Sequence, residues 1–471
     1  MPKRTKLYVL LGILLVVCAA AFAVSHYEEK KEQIKNSGEV ILEVPTDSVT
    51  VLSWTNESGT FSFTKGEKWV YDEDNAFPVD EEKINGLLEQ FESFAAAFAI
   101  DDVEDYSQYG LNEPVCTIHI TTGEESYTIE LGDFSKMDEQ RYVSIGDGKV
   151  YLVSHDPLEE FDAILRDMIL DDTIPEFDTA EQIEFSGSEN YTITRNEDGE
   201  SICADDIYFT DGQPMDTDNV ETLLSTLRSL SLTGYVSYNV TDEELAAFGL
   251  DDPELTIRME YSTMDDDGNA EGSGTLLLRV SRDPEEAAAY EEAAEKDEDD
   301  LPDVTCYVRI GDSRIVYEIS QEVYDQLTAV SYDTLRHQTL FTADFNTVTS
   351  IDVALNGENY AFNYTPPEDR NDEDAEGKWT YNDGEFDIYD LKTALLAISA
   401  SSFTDKTPTG QKEISLTLHL DNEDFPTFTL TLYRFDGTNC IATVDGKTVA
   451  LVSRSKTVDL IEAVNELTLG S

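Results

Sequence analysis

Positive charge is what this chain has least of: 31 lysines and arginines stand against 99 aspartates and glutamates in 471 residues, a formal net charge of −68. No basic stripe exists that would neutralise phosphates, so nucleic-acid binding is excluded. The same field repels anionic headgroups and draws in cations and basic partners. Histidine and cysteine are scarce as well, with five of each. His26, His119, His155, His337 and His419 show no HExxH or other two-ligand spacing, so the sequence indicates no zinc site. Cys18, Cys116, Cys203, Cys306 and Cys440 include no CxxC pair, which reads as single thiols and not as a disulfide framework. A Gly-x-Ser-x-Gly elbow and a Walker-type phosphate loop are missing, so serine-hydrolase and nucleotide chemistry have no motif to rest on.

Carboxylates, by contrast, are so numerous that a glycosidase-like pair is neither indicated nor excluded, since such a pair is defined by its spatial separation. Calcium is the one cofactor the acidity suggests, because hard oxygen ligands abound. Asp265-Asp266-Asp267-Gly268 nevertheless lacks the remaining positions of a calcium loop, so diffuse counterions and no dedicated cofactor are expected.

One long apolar run is present. Residues 7–24 carry no charge and follow Lys3, Arg4 and Lys6, which predicts a cytoplasmic N-terminus (1–6), a transmembrane helix (7–24), a polar stalk (25–39) and an extracytoplasmic remainder. Ala21-Phe22-Ala23 keeps a cleaved signal peptide open as the alternative; a lipid-modified Cys18 is disfavoured by the bulky Val17 before it.

The rest of the chain repeats itself. Tyr109-Gly110-Leu111-Asn112-Glu113-Pro114 returns as Phe248-Gly249-Leu250-Asp251-Asp252-Pro253, and Tyr142-Val-Ser-Ile-Gly-Asp returns as Tyr307-Val-Arg-Ile-Gly-Asp. Around both copies, period-two alternation marks strands; Ile84, Leu87, Leu88, Phe91 and Phe94, or Val220, Leu223, Leu224 and Leu227 after an Asp216 cap, mark amphipathic helices, and Leu158, Phe161, Ile164, Leu165 and Met168 mark a closing helix from Pro157. We therefore expect an α+β fold of three tandem repeats, each an antiparallel sheet covered by two helices: residues 40–175, 176–341 and a divergent 342–471 that lacks the Gly-Leu-x-x-Pro turn. Residues 282–303 form an acidic insertion in the second repeat, expected as a frayed surface helix or loop. Gly110, Leu111, Pro114, Gly249, Leu250 and Pro253 define the repeated turn, and backbone geometry accounts for them without a ligand. His119 and His419 occupy matching places, with Arg258 between, as expected of an outward strand position; Trp54, Trp69 and Trp379 are assigned to cores.

These two phrases, with the Leu165-Arg166-Asp167 and Leu335-Arg336-His337 endings, resemble the bacterial domain-of-unknown-function family numbered 4340. The resemblance implies an envelope protein with one N-terminal membrane helix, in some members beside transport systems, and it supplies no catalytic motif. The function expected is a non-catalytic, membrane-anchored extracytoplasmic scaffold or binding module, accessory to a transport complex and partnered by an envelope or membrane protein. Two alternatives are kept: a carbohydrate or small-ligand binding protein, which an aromatic-lined cleft would favour, and an envelope-polymer hydrolase.

Overall fold

Alternation along Val49–Asn56 buries Leu52 and Trp54 and turns Thr55 outward, and Trp54 pairs across to Phe61 on one side and Ile118 on the other. Such strands accumulate into sheets because one face of each is apolar. The structure is a computed structural model that describes residues 38–296, 301–367 and 377–469.

In chain order the first sheet contains β1 (Glu39–Leu42), β2 (Val49–Asn56), β3 (Gly59–Lys65), β4 (Trp69–Tyr71), β5 (Phe94–Ile100), β6 (Cys116–Thr122), β7 (Ser126–Ser135), β8 (Gln140–Ser144) and β9 (Val150–Val153). Its spatial order is β1-β5-β9-β8-β7-β6-β2-β3-β4. The second contains β10 (Thr179–Gly187), β11 (Tyr191–Arg195), β12 (Tyr208–Thr210), β13 (Gln213–Pro214), β14 (Tyr235–Ser237), β15 (Leu255–Met264), β16 (Ala270–Arg282), β17 (Cys306–Ile310) and β18 (Val316–Ile319). The third contains β19 (Val348–Leu355), β20 (Glu358–Thr365), β21 (Lys378–Tyr381), β22 (Gly384–Phe386), β23 (Ala400–Phe403), β24 (Lys412–Leu420), β25 (Thr427–Arg434), β26 (Asn439–Val444) and β27 (Lys447–Ser453). Their orders are β13-β12-β11-β10-β15-β16-β17-β18-β14 and β22-β21-β20-β19-β24-β25-β26-β27-β23. Without the edge strands β1, β13 and β22, one eight-strand order occurs three times.

The α+β expectation is corrected by this count. The protein is mostly β, with 41% strand and 21% helix, three nine-stranded antiparallel sheets and seven helices among the described residues. The helices are α1 (Glu81–Glu89), α2 (Leu158–Phe161), α3 (Thr217–Ser229), α4 (Pro284–Glu295), α5 (Gln321–Thr328), α6 (Tyr389–Leu396) and α7 (Arg454–Leu469). Two segments that read as helix depart from that expectation. Phe94, counted with the helical stripe, opens strand β5, which pairs with β1 and β9. Past Pro157 the helix breaks into one turn over Leu158–Phe161 and a separate 3-10 turn over Leu165–Met168: the carbonyls of Phe161 and Ala163 between them accept from Asn56 Nδ2 at 3.1 and 3.0 Å, and that of Ala163 also from Trp54 Nε1 at 3.0 Å. Side chains of the sheet thus satisfy carbonyls that a longer helix would have served.

The acidic insertion departs from expectation in the other direction. Residues 284–295 form an ordered helix because Asp283 accepts from the backbone N–H groups of Glu285 and Glu286 and Pro284 occupies the first turn. The transmembrane helix expected over residues 7–24 lies outside the described residues; among those described, no helix is long and apolar enough to cross a membrane.

The described residues fall into two compact units, one reaching Asp172 and taking in Ser237–Asn239, the other formed by the remainder from Thr173. In the first, Trp54 and Phe63 stack at 5.5 Å and Trp54 meets Phe161 edge-on at 5.7 Å. In the second, the core of the third sheet is built on Phe362, Leu391, Leu416 and Leu430, and Ile202, from the loop between β11 and β12, packs against it. That loop positions the site described next.

Candidate functional site

Short polar turns hold the β11–β12 loop in shape. Ser201 Oγ donates to Asp206 Oδ2 at 2.7 Å and accepts from the Cys203 N–H at 3.2 Å, while the Asp206 N–H donates to the Cys203 carbonyl at 3.3 Å. Asp206 is thereby drawn inward until it is 4% exposed. A carboxylate so buried requires partners.

His337 supplies one. Its Nε2 lies 2.8 Å from Asp206 Oδ1 and its Nδ1 3.3 Å from Asp216 Oδ2. Asp216 serves two purposes, because its other oxygen caps α3 by accepting from the Asp218 and Asn219 N–H groups. His337 is held in place by its own strand connection: the Leu335 carbonyl accepts from the Asp216 N–H at 2.9 Å, and the Gln338 carbonyl from the Ala400 N–H at 2.7 Å. Cys203 completes the group, with its sulfur, an Asp206 oxygen and a His337 nitrogen all within 4.8 Å of one another. No other set of three such side chains converges among the described residues.

The electrostatics of the group are one-sided. Burial on its own would lower the His337 pKa, but the Asp206 hydrogen bond and the charges of Asp206 and Asp216 outweigh it and raise the value. Burial raises the Cys203 thiol, and the neighbouring Asp206 and Asp205 carboxylates add to that. What the group offers is one sulfur, one oxygen and one nitrogen donor facing each other.

Beside this group runs a groove of about 410 Å³, lined among others by Ile202, Tyr332, Arg336, His337, Phe403 and Phe425. The Arg336 guanidinium lies 3.8 Å from the centre of the Phe403 ring and 5.2 Å from that of Tyr332. These rings remain partly exposed and are joined by a cation, the composition of a ligand-binding surface.

The repeated turn lies elsewhere. Gly110 and Gly249 end one-turn 3-10 helices with φ of 70° and 66°. A Cβ at Gly110 would approach the Asp133 side chain to 2.6 Å, and one at Gly249 would come as close to Ser281 Oγ. Leu111 and Leu250 are buried at 5% and 2%, and Pro114 and Pro253 stand just before β6 and β15, half-buried. Chain direction, packing and close approach account for these six residues. His119 bonds Thr128 and His419 bonds Asp352 on the outward side of their sheets, while Arg258 lies beside Glu184 and Glu260. His155 is exposed and borders a different cleft. The Asp265 carboxylate is occupied by the Asp267 and Asn269 N–H groups, as a turn requires. Trp54, Trp69 and Trp379 are buried. Cys116, Cys203, Cys306 and Cys440 are free thiols.

Nothing in the sequence marks Cys203 or Asp206 as part of a site, and Asp216 stands where a helix cap is expected. The partner that gives them meaning, His337, is 131 residues from Asp206. A Cys-x-x-Asp pair carries no signal at that distance.

The class of protein is thus a tandem array of antiparallel sheets in which one cluster of mixed donors borders one aromatic groove. The family model for a domain of unknown function, DUF4340, matches residues 69–236 and 208–417, and the chain belongs to that family. The two matches begin at equivalent strands, β4 and β12. No curated protein matches the chain.

Proposed function

We propose that this protein is a non-catalytic binding module of the bacterial envelope, tethered through the apolar run at residues 7–24 and holding its sheets on the outer side of the membrane. The observation that carries the binding part is the groove bearing Tyr332, Phe403 and Phe425 with Arg336 stacked on two of its rings. Ionic groups buried elsewhere support the non-catalytic part. Arg141, for example, is buried and directs its Nε and Nη2 to Asp156 and its Nη1 to the Gly132 carbonyl, the pattern of a structural ion pair. The large negative charge favours a basic or neutral occupant, and a carbohydrate fits aromatic faces as well as a protein segment does.

A photo-crosslinking residue at Tyr332 tests this in living cells. It is expected to capture an envelope component that the same residue at Tyr389, 66% exposed and outside the groove lining, does not capture. Equal capture at both positions would overturn the groove as the binding surface. Recovery of a soluble polysaccharide fragment would select the carbohydrate reading over a protein partner.

A further inference from the structure

We propose that Cys203 Sγ, an Asp206 oxygen and His337 Nε2 together bind a divalent cation of the zinc class, with Asp216 orienting the histidine from behind. The proposal goes beyond the groove reading and does not depend on it.

Donor chemistry chooses the class of ion. Thiolate and imidazole are soft to borderline ligands that calcium and magnesium avoid and zinc accepts, and one carboxylate completes a set of three. Distances allow it with small adjustments. Around a tetrahedral zinc, with bonds of about 2.0–2.3 Å, donor atoms lie roughly 3.3–3.7 Å apart, and here they already fall within 4.8 Å of one another. Asp206, 4% exposed, brings a buried carboxylate to the centre, where a cation compensates it.

The surrounding groups fit the role too. In metal sites a ligating histidine commonly gives its second ring N–H to a carboxylate, which fixes the tautomer and aims the other nitrogen at the ion. Asp216 Oδ2 lies 3.3 Å from Nδ1, on the side away from Asp206. Ser201 Oγ, donating to Asp206 Oδ2 at 2.7 Å, holds the carboxylate in turn. On binding, the thiol proton and the proton shared by Nε2 leave for solvent. Thiolate, carboxylate and neutral imidazole then balance the two positive charges of the ion. Three protein ligands leave a fourth position for water or for a donor atom of a ligand in the adjoining groove, which His337 also lines.

A structural reading of the same residues, a buried histidine–aspartate pair with a nearby thiol, predicts no metal. The two part in a titration of the full-length chain, purified in detergent, with Co(II) in a large excess of calcium that occupies the diffuse acidic surface. One equivalent is expected to produce a sulfur-to-cobalt charge-transfer band in the near ultraviolet that is lost in Cys203→Ser. A missing band at one equivalent, or one unchanged in Cys203→Ser, would overturn the site. Asp216→Asn, which keeps an acceptor for the helix cap, is expected to weaken binding by about 10- to 100-fold; unchanged affinity would remove Asp216 from the site. A readout without any variant is alkylation of the wild-type chain. One equivalent of zinc should protect Cys203 from iodoacetamide, as followed by peptide mass spectrometry, and equal labelling with and without zinc counts against the proposal.

Discussion

The ring of Phe248 lies 5.0 Å from that of Tyr307, edge to face, and the ring of Tyr109 lies 5.0 Å from that of Tyr142. Phe248 and Tyr109 open the Gly-Leu-x-x-Pro phrase; Tyr307 and Tyr142 open the Tyr-Val-x-Ile-Gly-Asp phrase. The two repeated phrases recur together because each holds the other in place. A double-mutant cycle with Phe248→Leu and Tyr307→Leu, measured by urea unfolding, should give a coupling of about 0.5–1.5 kcal/mol, the usual worth of an aromatic pair. Strict additivity would show that the contact is incidental.

Replacement of Gly249 by Ala places a side chain in left-handed backbone, at φ 66°, and against Ser281. A loss of at least about 1–2 kcal/mol in unfolding free energy is expected from the backbone alone. The same change at Gly110 should cost a similar amount. A neutral result at either position would show that the turn is softer than its geometry implies.

Arg141 and Asp156 are 7% and 8% exposed, with Nη2 donating to Asp156 Oδ2 at 2.8 Å. Asp156→Ala leaves a buried guanidinium without its counter-charge, and a loss of about 3–5 kcal/mol is expected. Thermal or denaturant unfolding of the variant checks this.

Glu254 accepts from Arg282 Nη2 at 2.7 Å and from the Tyr324 hydroxyl at 2.5 Å. Burial pushes its carboxyl up, but the Arg282 and Tyr324 hydrogen bonds and the Arg282 charge more than reverse this and hold it below its ordinary value. A depressed carboxylate contributes its full stability above the unfolded pKa, about 4.3, and loses it as pH falls through the folded value. The urea midpoint of the wild type should therefore fall more steeply below about pH 4.3 than that of Glu254→Gln. Parallel curves would remove Glu254 as a contributor to acid sensitivity.

On the proposed location, alkaline phosphatase joined after residue 38 should be active, because the enzyme matures only outside the cytoplasm and positive residues before an apolar run favour an N-terminus kept inside. An inactive fusion would overturn the proposed location.

Much of the sheet framework was legible because alternation is a local signal: β2, β6, β15, β24 and their partners could be marked residue by residue. Strand β5 was not. The run Phe94 to Ile100, Phe-Ala-Ala-Ala-Phe-Ala-Ile, favours helix by composition and becomes a strand only because β9 and β1 pair with its two edges. Helix α4 went the other way, since its like charges argue for fraying and the Asp283 cap and Pro284 decide for order. The mixed-donor cluster was hidden for a different reason. Its residues lie in a loop, at a helix cap and in a connection between sheets, and no spacing within any one of them announces a shared site.

Composition by itself determined the acidity, and amino-acid order the apolar N-terminal run, the repeated turn and the second repeated phrase, since each of these depends on neighbours along the chain. Tertiary structure alone decided the balance of strand over helix and the meeting of Cys203, Asp206 and His337. Pairing of β5 between β1 and β9 and convergence across 131 residues are set by where the folded backbone returns, and local propensity carries no record of that.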